Sequence, residues 1–139
     1  MLQLHADARV LVVDDYEGNV VLLKRLLARH GMAAVETVTD PRTVLSRLPE
    51  LDPDLVLLDL HMPHVDGYML LKQIRDWAGE AYLPVIVLTA DTTPETLLRA
   101  VDEGATDFLT KPFNATEIVI RIRNLLQTRV LYRELKALR

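Results

Sequence analysis

Short apolar runs rich in Val, Leu and Ile recur along the chain, and between them the apolar residues follow a helical period. The runs predict five strands, near Arg9–Val13, Ala33–Val38, Leu55–Leu58, Val85–Thr89 and Asp107–Thr110. Because most of these runs do not alternate with polar residues, we expect strands that are covered on both faces, as in a parallel sheet. The segments between and after the strands predict helices.

Capping residues mark the predicted helix boundaries. The starts carry a side-chain oxygen, in two cases followed by proline, at Asp40-Pro41, Thr93-Pro94 and Asn114-Ala-Thr-Glu117. Glycine marks three expected ends, at Gly31, Gly79 and Gly104. The first helix is predicted over about Gly18–His30. Its inner side is expected to carry Val21, Leu22 and Leu26, with Val20 and Leu27 as further candidates.

The order of these elements predicts an α/β fold. Alternating strands and helices with right-handed crossovers build an open, doubly wound parallel sheet. A closed barrel is not expected, because it needs about eight units and about 250 residues, whereas this chain has 139. Half of the residues are apolar and 26% are charged, which predicts a globular domain rather than a disordered or fibrous chain.

Composition narrows the class of protein. The absence of cysteine excludes disulfides and thiolate metal sites and is typical of a reducing compartment, so a cytoplasmic location is expected. No apolar run exceeds four residues, so no membrane-spanning helix is expected. Residues 1–116 carry ten Lys and Arg against eighteen Asp and Glu, whereas residues 117–139 carry six against two. The acidic body argues against nucleic-acid binding, and only the last segment is a candidate for it.

Polar side chains follow four of the five predicted strands, at the edge where open parallel sheets bind ligands. They are Asp14 and Asp15, Asp59, Thr89 and Lys111. Carboxylates held this close repel one another, so such a site raises a pKa or takes up a cation. Hard oxygen ligands favour Mg²⁺, which also binds phosphate oxygens.

The same set of residues indicates phosphate chemistry. Lys111 offers a positive charge and Thr89 a hydrogen-bond donor, which are the groups that stabilise a phosphoryl group in transfer. The chain has no Gly-x-x-x-x-Gly-Lys loop, so P-loop nucleotide hydrolysis is not supported. Because the set contains no serine or cysteine nucleophile, a carboxylate is the candidate nucleophile.

In order and spacing these residues resemble the receiver domain of two-component response regulators. The matching segments are Asp14-Asp15, Asp59-Leu-His-Met-Pro63-His-Val-Asp66-Gly67, Thr89-Ala90 and Lys111-Pro112-Phe113. The resemblance spans about residues 8–127. It implies a flavodoxin-like sheet with strand order 2-1-3-4-5 and five helices, and the residue pattern, which continues to Leu138, predicts that the last helix is extended.

The resemblance implies a role for each acidic residue. Asp59 would be the phosphoacceptor for a sensor histidine kinase or phosphotransfer protein. Asp15 and Asp59 would bind Mg²⁺ directly, Asp14 would bind it through water, and the His61 backbone carbonyl would be a further ligand. The domain would thus catalyse its own phosphorylation and slow dephosphorylation.

Further roles implied by the resemblance concern signalling. Lys111 would pair with the phosphoryl group, and its peptide bond to Pro112 would be cis. Thr89 and Phe108 would move on phosphorylation and alter the surface of the fourth helix, fifth strand and fifth helix. Phe108 stands where tyrosine is frequent in the family. The lifetime of the phosphorylated state would be tuned by the residues two positions after Asp59 and Thr89, which are His61 and Asp91.

Two other functions are compatible with parts of this pattern. A pseudo-receiver would be an interaction module that is independent of phosphorylation, and the complete set of acids, Thr89 and Lys111 argues against it. A flavodoxin-type redox carrier shares the winding, but the loop after the first strand is not the Ser/Thr-rich loop that binds a flavin phosphate. His61 and His64 are interpreted as loop residues rather than a metal pair, because Pro63 between them breaks any helix that would align them.

The last helix is predicted to continue beyond the domain. We expect a receiver domain over residues 1–127 and an extension over 128–139 that links it to an absent output domain, so the chain is expected to be a fragment. Residues at coiled-coil spacing suggest a homodimer through this helix, namely Asn124, Thr128, Leu131, Leu135 and Leu138. A frayed tail and nucleic-acid binding by its arginines remain alternatives. A receiver with such a basic helical extension resembles those that precede cyclic-dinucleotide output domains, particularly HD-type phosphodiesterases, although many output classes use similar linkers.

Overall fold

A computed structural model describes residues 6–138, so the first five residues of the predicted domain and the last residue of the predicted extension lie outside it. Strands and helices alternate as β1 (Val10–Val13), α1 (Glu17–Arg29), β2 (Val35–Val38), α2 (Val44–Leu51), β3 (Leu55–Asp59), α3 (Gly67–Ala78), β4 (Val85–Thr89), α4 (Pro94–Asp102), β5 (Asp107–Thr110) and α5 (Ala115–Ala137). Two smaller features are a 3₁₀ turn, Pro41–Thr43, and a hairpin of His61–Met62 with Val65–Asp66. None of the helices described combines the length and apolarity needed to cross a membrane.

The five labelled strands form one parallel sheet in the order β2-β1-β3-β4-β5. This confirms the predicted α/β fold and its strand order. Residue Val10 of β1 lies opposite Val35 on one side and Leu55 on the other. The chain therefore winds outward in both directions from β1, and the crevice at the carboxyl ends of β1 and β3 lies at the reversal point.

The core consists of two apolar clusters, one on each face of the sheet. Helix α1 packs on one of them through Val20, Leu23 and Leu27, which are buried. The prediction for its inner side was wrong in part, since Val21 and Leu22 are exposed. The four consecutive apolar residues from Val20 to Leu23 fit more than one helical phase, and only packing against the sheet selects between them.

The predicted caps are confirmed. The side chains that accept from the first backbone N–H groups are those of Asp40, Thr93 and Asn114. The backbone takes a positive φ just after α1, α3 and α4, at Gly31, Gly79 and Gly104. Glycine is favoured at such positions because it has no Cβ to clash.

Helix α5 runs without a break from Ala115 to Ala137. Its first half covers the sheet through Ile118, Ile122 and Leu126, all buried. Beyond Leu126 no apolar side chain of the described helix is fully buried, and Leu131 and Leu135 are 55% and 65% exposed. A domain boundary at residue 127 therefore stays a prediction, because the helix itself shows no interruption there.

Candidate functional site

An acidic pocket lies at the carboxyl ends of β1 and β3. Asp14 directly follows β1 and is 0% exposed, Asp59 is the last residue of β3 and is 3% exposed, and Asp15 is exposed at the rim. One carboxylate oxygen from each of these three residues lies within 4.8 Å of the other two. The structure thus brings together the three acidic residues that were predicted at the ends of two strands.

Backbone and side-chain donors fix the two buried carboxylates. Asp14 accepts from the Tyr16 backbone N–H and from the Asn19 side-chain amide, each at 3.0 Å. Asp59 accepts from the His61 backbone N–H at 3.1 Å. Sequence analysis missed Asn19, which stands in the first turns of α1 and faces the pocket. The sequence gives little indication that Asn19 belongs to the pocket, because a single amide on a predicted helix surface looks like an ordinary solvated residue.

Lys111 supplies the positive charge. Its Nζ lies 3.2 Å from Asp59 Oδ2 and 3.5 Å from Asp14 Oδ2. Its backbone N–H donates to the Thr89 carbonyl at 2.9 Å, which ties the end of β5 to the end of β4. The Lys111–Pro112 peptide bond is cis. The ammonium group therefore bridges the two buried carboxylates, while its side chain stays partly open to solvent.

Charge is not balanced in the pocket. Burial raises the pKa of Asp59 above its ordinary value, and the negative charge of Asp14 raises it further. The His61 N–H and the Lys111 ammonium group lower it without reversing the direction. Two buried carboxylates and one at the rim share a single ammonium group, so the pocket carries an excess of negative charge that a cation would compensate.

The donor set fits a magnesium ion. All three groups are carboxylates, which are hard oxygen ligands, and the exposure of Asp15 leaves one side of the cluster accessible to water. Magnesium is bound by one or two carboxylates and keeps several waters. Asp14, Asp15 and Asp59 are therefore the residues that would hold it.

Thr89 is buried at the end of β4, and its hydroxyl is engaged. It donates to the Asp91 carbonyl at 3.1 Å and accepts from the Asp91 N–H at 2.9 Å. The Asp91 side chain in turn accepts from the Thr93 N–H and the Thr96 hydroxyl, and these bonds lower its pKa. Thr89 is thus connected by hydrogen bonds to the first turn of α4.

The remaining predicted residues lie in the hairpin after β3 and in β5. His61 is exposed in the small hairpin after β3, and His64 occupies a left-handed turn with φ of 71°. Phe108 is half-buried in β5 and packs against the apolar cluster beneath α3 and α4. The predicted loop placement of both histidines agrees with these positions.

Comparisons with known proteins find a matching family model, similar sequences and a similar fold. The family model of the response regulator receiver domain matches residues 10–123. The sensory/regulatory protein RpfC of Xanthomonas campestris pv. campestris is 40% identical over 119 residues, 84% of this chain and 16% of RpfC. The response regulator PleD of Caulobacter vibrioides is 35% identical over 129 residues, 93% of this chain and 28% of PleD. The chain thus spans less than a third of either relative.

A solved structure extends the comparison to the fold. The chemotaxis protein CheY4 of Vibrio cholerae superposes with a TM-score of 0.78 at 30% identity. The match covers 85% of this chain and 98% of that protein.

Proposed function

Since the chain belongs to the family of response regulator receiver domains, we propose that it accepts a phosphoryl group on Asp59 from the phosphohistidine of a sensor histidine kinase or phosphotransfer protein. The observation that carries this proposal is the pocket itself. A buried carboxylate at the end of β3 lies 3.2 Å from the ammonium group of Lys111 and beside two further carboxylates. This is the arrangement that phosphoryl transfer to a carboxylate requires.

The transfer follows from the positions of these groups. A carboxylate oxygen of Asp59 attacks phosphorus, the bond between phosphorus and the histidine nitrogen breaks, and its electron pair returns to the imidazole ring. The products are an acyl phosphate on Asp59 and a free histidine. Lys111 faces the oxygens on which negative charge accumulates, and a bound Mg²⁺ would supply further charge stabilisation. The Asp14 contacts to Tyr16 and Asn19 hold that carboxylate in place throughout.

The response to phosphorylation begins at Thr89 in this proposal. Its hydroxyl bonds to Asp91, so turning toward phosphoryl oxygens breaks the link to the first turn of α4. Phe108 then moves into the vacated space, and the surface of α4, β5 and α5 changes for an output domain. This is a shift between two populated states. We assign to His61, whose N–H donates to Asp59, and to Asp91, which bonds to Thr89, the tuning of water access to the acyl phosphate.

The magnesium dependence gives the direct test. We expect intact-mass analysis after incubation with acetyl phosphate to show one phosphoryl adduct with Mg²⁺ and none with excess chelator. Asp15→Asn removes one ligand and should raise the Mg²⁺ concentration for half-maximal adduct by about tenfold or more. Asp76→Asn, which changes an exposed acid on α3, should have no effect.

The alternative outcome identifies a pseudo-receiver. Absence of adduct with Mg²⁺, together with absence of beryllofluoride binding, would show that the chain acts without phosphorylation. The complete pocket argues against this alternative, because an unused acidic cluster would cost stability through charge repulsion.

The proposal also covers the location of the domain in the cell and its connection to an output domain. We place the domain in the cytoplasm, where two-component kinases deliver their phosphoryl groups, and we assign residues 128–139 as a link to an output domain. A cyclic-dinucleotide output is one class compatible with such a link. We do not assign direct nucleic-acid binding, because two of the four arginines along this helix are engaged within the domain: Arg121 pairs with Asp107, and Arg129 is buried.

A homodimer through α5 is the last element of the proposal. Leu131, Leu135 and Leu138 are exposed along one side of the helix, at the spacing of a coiled-coil seam. We expect sedimentation at high micromolar concentration to show dimers with beryllofluoride and Mg²⁺, and monomers for Leu131→Asp with Leu135→Asp. Leu98→Asp, which alters an exposed leucine on α4, is the control. Loss of the dimer in that control alone would place the interface on α4 instead, and a wild type that stays monomeric would refute dimerisation.

A further inference from the structure

The opposite edge of the sheet, at the amino ends of the strands, holds a second cluster of charged residues. Arg129 of α5 is only 6% exposed, and its Nε lies 3.0 Å from an oxygen of Asp54. Its guanidinium group also donates to the Tyr82 backbone carbonyl. A buried arginine needs such partners, because an unpaired charge removed from water is costly.

Asp54 joins three parts of the chain. Its second carboxylate oxygen accepts from the Arg9 backbone N–H at 2.8 Å, and its own N–H donates to the Arg9 carbonyl at 2.7 Å. Arg133, one turn beyond Arg129, approaches the same carboxylate at 3.3 Å. The residue directly before β3 thus holds the start of β1 on one side and α5 on the other.

Tyr132 adds a contact from the same turn of the helix. Its hydroxyl donates to the Glu80 carbonyl at 2.8 Å, and its ring centroid lies 5.9 Å from that of Tyr82. Glu80 and Tyr82 belong to the loop between α3 and β4. The helix is therefore fastened to two separate loops at this edge.

We propose that Asp54, Arg129 and Tyr132 form an anchor that holds the distal half of α5 as a rigid continuation of the domain. The last fully buried apolar residue of α5 is Leu126, so burial in the apolar core does not hold the residues beyond it. An isolated helical end of about three turns is marginal in water. The contacts of the anchor replace the missing apolar packing and fix the direction in which the helix leaves the domain.

The anchor and the acidic pocket lie at the two ends of one strand. β3 begins directly after Asp54 and ends at Asp59, and all five of its residues are buried. The strand therefore sets the position of the distal helix relative to the phosphoacceptor. A segment that continues α5 would move with the domain rather than swing about a loose joint.

Hydrogen exchange measured by mass spectrometry on the 139-residue chain tests this proposal. We expect Arg129→Met, which keeps the aliphatic stem and removes the paired charge, to speed amide exchange in residues 130–138 by about tenfold. Exchange in β4 should stay unchanged. The matched control is Arg133→Gln, an exposed arginine at a longer distance from Asp54, and it should change exchange by less than about twofold.

A second pair of variants separates loss of the anchor from loss of the fold. If Arg129→Met unfolds because Asp54 is left unpaired, Arg129→Met with Asp54→Asn removes both charges and should fold while keeping fast exchange in the distal helix. Tyr132→Phe removes only the hydroxyl bond to Glu80 and should give an intermediate increase. Wild-type exchange rates in residues 130–138 of the folded double variant would overturn the proposal.

Discussion

Asp59→Asn is expected to abolish the phosphoryl adduct that acetyl phosphate and Mg²⁺ form on the wild-type chain. The amide has no anionic oxygen to attack phosphorus, while its shape and its hydrogen bond from the His61 N–H can be retained. Intact-mass analysis should therefore show no detectable adduct at times when the wild type is fully modified. An adduct that persists in Asp59→Asn would place the acceptor on another residue.

Stability of the same variant serves as its control. Burial raises the pKa of Asp59, so its contribution favours the fold at low pH and is lost as the pH rises through the native pKa. Without divalent metal, burial and the Asp14 charge disfavour the charged form of Asp59 in the fold, and Asp59→Asn should unfold at the same or a higher temperature than wild type. A lower unfolding temperature would mean that lost phosphorylation reflects structural damage.

Gly67→Ala should have the largest effect on stability. A Cβ at this first residue of α3 would lie 2.0 Å from the carbonyl oxygen of Leu60 and 2.7 Å from its carbonyl carbon. The Leu60 backbone cannot retreat easily, because its N–H bonds to the Leu88 carbonyl at 3.1 Å. We expect the free energy of unfolding to fall by about 3 kcal/mol or more in denaturant titrations.

Gly79→Ala provides the comparison. Its φ of 61° and ψ of −131° disfavour alanine, but apart from its chain neighbours no atom lies within 4 Å of an added Cβ, so the loss should be about 2 kcal/mol. Because Leu60 follows Asp59 directly, any folded Gly67→Ala protein should also be phosphorylated more slowly. Equal losses at the two glycines would show that the start of α3 shifts to accommodate the added Cβ.

The pocket was predictable because strand ends are readable from sequence. Asp14, Asp15, Asp59 and Lys111 each follow or close an apolar run, and the geometry of a parallel sheet brings such ends to one edge. No knowledge of side-chain packing is needed for that step. The capping residues were equally readable, since each acts on backbone groups within three positions.

Other features depend on contacts between distant segments. The inner face of α1 could not be chosen among six apolar residues until the sheet selected Leu23 and Leu27. Arg129 looked like part of a basic surface, because its partner Asp54 is 75 positions away and carries no signal of that pairing. Long-range ion pairs of this kind follow from the way loops converge at one edge of the sheet.

Because α5 is unbroken and anchored to the domain, it fixes the orientation of any module that is fused to its end. Each residue added to a continuing helix turns a fused module by about 100° and carries it about 1.5 Å further. Seven added residues return it to within about 20° of its starting direction. The signal of a fluorescent or enzymatic module fused there should therefore vary periodically with the number of added residues. With a flexible tether it would instead fall gradually as the tether lengthens.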